Sequence, residues 1–174
     1  VLLCHSCSDR KPENHYIDIS SKAELYSYFR YDPGRDIVIS GHRGGMEPGY
    51  PENCIESFGQ TLTRIESFFE IDPRLTKDSV IVLMHGKTID PTTTVHGKLS
   101  DYTYEELARL NLVDLDGNES PYKIPTLEEC IHLHECKPQL HLYITDVPHA
   151  FSSHFIAPLD PRHSILTYTF PHAL

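Results

Sequence analysis

The chain's 174 residues carry 25 acidic against 15 basic side chains, a formal net charge of -10 with histidine neutral, and 39% of them are hydrophobic. That length and apolar share can bury a core as one domain, which argues against a disordered or low-complexity polypeptide. The acidic balance argues against nucleic acid or an anionic bilayer as the main partner, and admits a small anionic substrate only where local cations or a metal receive it.

The opening residues, Val1-Leu2-Leu3-Cys4-His5-Ser6-Cys7-Ser8, resemble the end of a lipoprotein signal, where an apolar run meets a Cys that takes a lipid. An extracytoplasmic bacterial lipoprotein or periplasmic location is the expectation that follows, set against a plain frayed terminus. No stretch approaches the length of a membrane span. Cys4, Cys7, Cys54, Cys130 and Cys136 are odd in number and irregularly spaced, so mostly free thiols are expected rather than a disulfide framework.

Residues 1–36 read as a polar N-terminal extension, with a helical signal from Lys22 to Phe29 that closes on the turn-forming Asp32-Pro33-Gly34. The domain proper is expected from 37 to 174. Ile37-Val38-Ile39 is a β-branched run that predicts a buried strand, ending at Gly41-His42-Arg43-Gly44-Gly45. Over 52–65, Ile55, Phe58, Leu62 and Ile65 recur at three and four residues, the stripe of an amphipathic helix with Pro51 suited to its first turn. Strands are predicted at 68–72 and 80–84, and helices at 102–110 and 126–134, the second opening with a Thr126/Glu129 capping box. Strands at 140–145 and 165–170 follow, with a weak helical stretch over 151–156 between them. This alternation predicts an α/β fold of parallel strands joined by crossover helices.

On a strand, residues two apart face the same way, so Glu70 and Asp72 point together while Phe69 and Ile71 face the other side. A hard divalent cation, Mg2+ or Ca2+, would relieve the repulsion between the two carboxylates. A half-exposed edge strand with a solvated face is the alternative reading of such an isolated pair. His42 and His85 each follow an apolar run directly, which in a parallel α/β protein places both at the carboxyl ends of strands, where ligands bind. One imidazole can then take a proton from an attacking oxygen while the other supplies one to the leaving oxygen. Arg43 offers a fork of donors suited to phosphate.

Gly41-His42-Arg43-Gly44, Pro51-Glu52-Asn53, Glu70-Ile71-Asp72, Leu75-Thr76-Lys77-Asp78, Leu83-Met84-His85 and Ile124-Pro125-Thr126-Leu127-Glu128-Glu129 come in an order that resembles the glycerophosphodiester phosphodiesterase family, over roughly residues 37–131. The resemblance implies a (β/α)8 TIM barrel that hydrolyses glycerophosphodiesters, small-molecule partners, to an alcohol and glycerol 3-phosphate. It also implies His42 and His85 as the acid/base pair, Arg43 as a phosphate ligand, Glu70 and Asp72 as ligands of the divalent cation, and Glu52 and Asn53 as supports. Only about five strands can be found, so a partial barrel is expected, with sheet edges open to self-association.

The family pattern has an aspartate where this chain has Gly86, an arginine in a D-R-T-T stretch where Pro91 stands, a glycine where Val95 stands, and an acidic metal ligand in the fourth strand where the register gives Tyr143. These departures motivate a second expectation, a catalytically impaired member that binds phosphate ester or metal weakly. His132, His134, Cys136 and His141 suggest a zinc site, but His132 and His134 diverge by about 200 degrees on a helix, which favours a solvated surface.

Overall fold

The computed structural model describes residues 15, 17, 19, 21–134, 140–143 and 165–168. The expected helix over 151–156, the opening signal-like run and Cys136 lie outside these residues, as do the side chains of His132, His134 and His141.

The first helix, α1 (Lys22–Phe29), starts where Ser21 is extended and its side chain accepts a hydrogen bond from the Glu24 backbone N–H. That satisfies one of the four N–H groups that a helix start leaves without partners. β1 (Ser40–His42) begins three residues later than the β-branched run predicted. Ile37 is 89% exposed, because pairing with the next strand opens only where the Phe68 N–H reaches the Ile39 carbonyl. α2 (Ile55–Leu62) buries Ser57, Phe58, Thr61 and Leu62 on one side. It starts after Pro51-Glu52-Asn53 rather than within it, which frees those residues to form a loop.

β2 (Phe68–Ile71), β5 (Leu140–Tyr143) and β6 (Ile165–Tyr168) join β1 in a parallel sheet of order β1-β2-β5-β6. Parallel strands whose connecting helices pack on one face are the layout of part of a (β/α)8 barrel, and this fold is α/β. β3 (Pro73–Leu75) and β4 (Ile81–Leu83) form a separate antiparallel pair. This corrects the expectation that 80–84 is another parallel strand. The turn between them holds too few residues for a crossover helix, so the chain can only double back.

Strand alternation sorts the core. Phe69 and Ile71 of β2 pack with Phe58 and Leu62 of α2, with Ile81 and Leu83 of β4, and with Leu127, Cys130 and Ile131 of α4 (Leu127–His134). Fully burying a side chain such as Phe58 or Phe69 is worth about 1.5–3 kcal/mol. Val82 and Met84, on the opposite face of β4, pack with Ile89, Leu99, Leu107, Leu112 and Ile124. α3 (Tyr104–Leu107) belongs to this second cluster and carries a Thr103/Glu106 capping box. The expected box on α4 is present too, the Thr126 N–H donating to Glu129 Oε2 at 2.8 Å and the Glu129 N–H to Thr126 Oγ1 at 3.0 Å.

Phe68 is on the face of β2 opposite Phe69. It packs with Ile17, Ile19, Leu25 and Tyr28, so the segment before β1 covers the amino end of the sheet's inner face. The carboxyl end of that face is left to other residues. Cys54 and Cys130 are free and buried, and no described helix is long and apolar enough to cross a membrane.

Candidate active site

The pairing of β1 with β2 sets His42 opposite Glu70, so both strands end side by side. The chain then turns sharply: Arg43 and Met46 have φ of 49° and 54°, and Gly44 and Gly45 have φ of 105° and 104°. Glycine is required at Gly44 for a second reason, since a Cβ there would lie 1.9 Å from Ser57 Oγ on α2. Thr61 Oγ1 of the same helix donates to the Gly44 carbonyl at 2.6 Å. Helix α2 thus clamps the turn that carries Arg43.

Arg43 is the hub. Its backbone N–H lies 3.0 Å from the Glu70 carbonyl and 3.3 Å from Glu70 Oε2. Its Nη1 donates to Glu52 Oε2 at 2.8 Å, and its Nε lies 3.3 Å from Asp72 Oδ2. The Nε contact has the distance of an ion pair but not the direction of a hydrogen bond, so among the described residues this buried N–H has no hydrogen-bond acceptor. Asp72 is held from its other side by Asn53, whose Nδ2 donates to Asp72 Oδ2 at 3.0 Å while its Oδ1 accepts from the Asp72 N–H at 3.2 Å. Asn53 has φ 56°, a left-handed conformation that asparagine tolerates better than most residues, and its own N–H reaches the Arg43 carbonyl.

The His42 ring is more than half exposed. Its Nε2 lies 3.9 Å from Glu70 Oε2 and its Nδ1 lies 3.2 Å from Met46 Sδ. Burial raises Glu70 above the ordinary glutamate range, and the neighbouring Asp72 raises it further against the opposing pull of His42 and Arg43. Glu52, Glu70 and Asp72 set three carboxylates against one guanidinium, a surplus of two negative charges if all are ionised. Hard carboxylate oxygens in surplus suit a hard divalent cation, so the residues present fit the expected metal. Among the described residues no three His, Cys, Asp or Glu groups converge closely enough to hold one by themselves.

His85 arrives by a different route than a parallel strand end. β4 runs antiparallel to β3, and one step beyond their pairing the Met84 N–H donates to the Asp72 carbonyl at 2.8 Å, so His85 follows directly on a residue bonded to the site. Arg74 Nε donates to the Met84 and His85 carbonyls at 2.9 and 2.8 Å. The structure therefore joins His42, Arg43, Glu52, Asn53, Glu70 and Asp72 by direct contacts and brings in His85 through its backbone. Among the described residues no hydrogen bond or ion pair links the exposed His85 ring to the other six. Sequence reasoning missed Arg74 and Met46. Arg74 stands two residues beyond Asp72, and the same alternation that paired Glu70 with Asp72 could have marked it.

The sequence model of the glycerophosphoryl diester phosphodiesterase family matches residues 42–153. Human glycerophosphodiester phosphodiesterase 1 is 37% identical over 146 residues, a stretch covering 75% of this chain and 44% of the human protein. A crystal structure of a glycerophosphoryl diester phosphodiesterase from Parabacteroides distasonis matches with a TM-score of 0.85 at 44% identity, over 88% of this chain and 54% of that one. A phosphodiesterase from Oleispira antarctica, solved with its product sn-glycerol-3-phosphate, shares the fold with a TM-score of 0.64 at 22% identity, over 84% of this chain and 60% of that one. The chain spans less than half the length of the curated relatives it matches.

Proposed function

The chain belongs to the glycerophosphoryl diester phosphodiesterase family, and on that premise we propose that it takes part in hydrolysing small glycerophosphodiesters to an alcohol and glycerol 3-phosphate with His42 and His85 as the acid/base pair. The observation that carries the proposal is the meeting of His42, Arg43, Glu70 and Asp72 at the carboxyl ends of β1 and β2, with more negative charge than Arg43 can neutralise.

In this reading Glu70 and Asp72 hold a divalent cation, Mg2+ or Ca2+. Such an ion, when bound, polarises a phosphoryl oxygen and orients the ester. Asn53 fixes the Asp72 carboxylate, and Glu52 fixes Arg43, so both ligand and guanidinium are oriented before substrate arrives. The Arg43 guanidinium, held by Glu52 and beside Asp72, supplies positive charge for a phosphate oxygen. One of the two imidazoles removes the proton from the attacking water and the other protonates the departing alkoxide. A positioned acid or base of this kind contributes about 100- to 10,000-fold.

The test is release of glycerol 3-phosphate from glycerophosphocholine with and without Mg2+ or Ca2+. Cation-dependent turnover that disappears in His42→Asn supports the proposal, and its absence from folded protein sinks it. A second reading, a member that binds phosphate ester or metal without efficient turnover, draws on Gly86. A Cβ there would lie 2.6 Å from the Thr88 carbonyl, so the turn has no room for the aspartate that the family pattern carries beside its second histidine. Cation binding by the parent chain without turnover would favour that reading.

A further inference from the structure

Met46 is an apolar side chain left 37% exposed beside a site built of charges, on a backbone whose φ is 54°. A left-handed conformation strains a residue with a long side chain and persists where the surroundings fix it. Both flanks of Met46 are fixed. On one side Thr61 Oγ1 donates to the Gly44 carbonyl, and a Cβ at Gly45 would lie 2.3 Å from that same hydroxyl, so the turn lies flat against α2. On the other side the Glu47 carboxylate accepts from Gln60 Nε2 at 3.2 Å and pairs with Arg64 at 3.1 Å. The Gly45 N–H closes the turn on the His42 carbonyl at 3.0 Å. Held this way, the thioether folds back onto the ring four residues before it, with Met46 Sδ 3.2 Å from His42 Nδ1.

A thioether sulfur accepts hydrogen bonds and donates none. An N–H aimed at it across this distance is attracted, whereas a bare Nδ1 would set one lone pair against another. The contact therefore discriminates between the two neutral forms of the ring and favours the one with its proton on Nδ1 and its lone pair on Nε2. Nε2 is the nitrogen turned toward the carboxylates, 3.9 Å from Glu70 Oε2, a distance too long for a hydrogen bond. Among the described residues the Met46 sulfur is the ring's one hydrogen-bond partner. An imidazole free in water favours the opposite form, which here would turn the lone pair away from the carboxylates and toward the loop.

We propose that Met46 is a positioning residue whose thioether holds the proton of neutral His42 on Nδ1, and so makes Nε2 the atom through which His42 exchanges protons. The sulfur is uncharged, so it orients the ring without adding a further negative charge beside Glu52, Glu70 and Asp72. The tautomer stands independently of any activity. Its consequence for turnover rests on the hydrolase reading, and it is the same whether His42 serves as base or acid, since taking and giving the proton use one nitrogen.

Proton–nitrogen correlation spectra of the histidine rings in the isotope-labelled full chain, at a pH where the ring is neutral, read which nitrogen carries the proton. His42→Asn identifies the His42 signals by their loss. The parent is expected to be protonated on Nδ1. Met46→Leu keeps the bulk and removes the acceptor, and should shift the tautomer ratio at least about fivefold toward Nε2–H, as loss of one hydrogen bond does. Met46→Glu supplies a carboxylate that only accepts when ionised, and should hold the parent tautomer. Thermal midpoints check that each variant folds. A proton on Nε2 in the parent, an unchanged ratio in Met46→Leu, or a Met46→Glu ring that shifts as Met46→Leu does overturns the proposal. Kinetics then read the consequence. Met46→Leu lowers kcat for glycerophosphocholine at least about threefold and leaves KM within about twofold, and a shifted tautomer with unchanged kcat overturns the positioning role. A parent that turns over nothing refutes the hydrolase reading alone, since the ring spectra still read the tautomer.

Discussion

At the carboxyl edge of the parallel sheet, burial and the neighbouring Asp72 push Glu70 above the ordinary glutamate range. In the antiparallel ribbon and the loops that follow it, Asp78, Asp90, Glu106 and Asp114 are all pulled below theirs. The Thr76 hydroxyl holds Asp78, the Gly97 N–H holds Asp90, the Thr103 N–H holds Glu106 and the Asn118 N–H holds Asp114. Acids answer donors in both regions, but at the sheet edge Glu52, Glu70 and Asp72 also outnumber the one guanidinium beside them. The proposed cation site rests on that contrast, between acids tied into turns and acids in excess of the positive charge beside them. The contrast also explains why the family-like Thr76-Lys77-Asp78 stretch is read here as a turn: Thr76 Oγ1 donates to Asp78 Oδ1 at 2.6 Å, and the same oxygen accepts from the Tyr104 N–H at the start of α3.

The largest expected effect that sharpens this contrast is catalytic. His42→Asn lowers kcat for glycerophosphocholine by about 100- to 10,000-fold, while His96→Asn, which alters the partner of Asp90 in the loop, leaves it within about twofold. Steady-state release of glycerol 3-phosphate by the two variants checks this. Next comes the clamp on the turn. Gly44→Ala costs about 3 kcal/mol of stability by chemical denaturation, because φ is 105° there and the added carbon meets Ser57. Gly117 also has a positive φ of 82° but open space around it, so Gly117→Ala should cost only about 1 kcal/mol. Asn53→Ala leaves buried Asp72 without its side-chain donor and should cost about 2 kcal/mol in the same denaturation experiment, with a larger proportional loss of activity than of stability.

The smallest effect carries opposite signs in the two regions. Glu70 has a folded pKa above its unfolded value, so the stability it contributes is present at low pH and lost as pH rises through the folded value. Metal-free Glu70→Gln should then be at least as stable as the parent at pH 7, with the difference vanishing below about pH 4. Asp78 has a folded pKa below its unfolded value, so its contribution is present at neutral pH and lost as pH falls through the folded value. Asp78→Asn should be slightly less stable at pH 7, with the gap closing in acid. Thermal midpoints across pH read both signs.

Much of this was legible in the residues. The α2 stripe, the alternation that separates Glu70 from Phe69, and the Thr126/Glu129 box depend on nearest-neighbour geometry, which sequence spacing reports directly. The placement of 80–84 was not, because Ile81, Val82 and Leu83 are buried on both faces and read alike whether their partner is parallel or antiparallel. Only the short turn before them, and the packing of alternate residues into two separate clusters, distinguishes the cases. The start of β1 was misplaced for a related reason. β-branched residues predict strand wherever they occur, but Ile37 is exposed and, among the described residues, pairs with no strand. At the site, residue identities singled out side chains that the fold brings into contact, while the pairing of Arg43 with Glu52 and Asp72 depends on a left-handed turn that spacing does not encode.

The central claim is that Glu70 and Asp72 form a carboxylate pair awaiting a divalent cation. It is tested most directly by the thermal midpoint of the full chain titrated with Ca2+ or Mg2+ at pH 7, in the parent, Glu70→Gln and Asp78→Asn. The account predicts a saturable rise in the parent and in Asp78→Asn, equivalent to about 2.7 kcal/mol at a hundred times Kd, and none in Glu70→Gln. A rise of equal size in Glu70→Gln, or no rise in the parent, would contradict it.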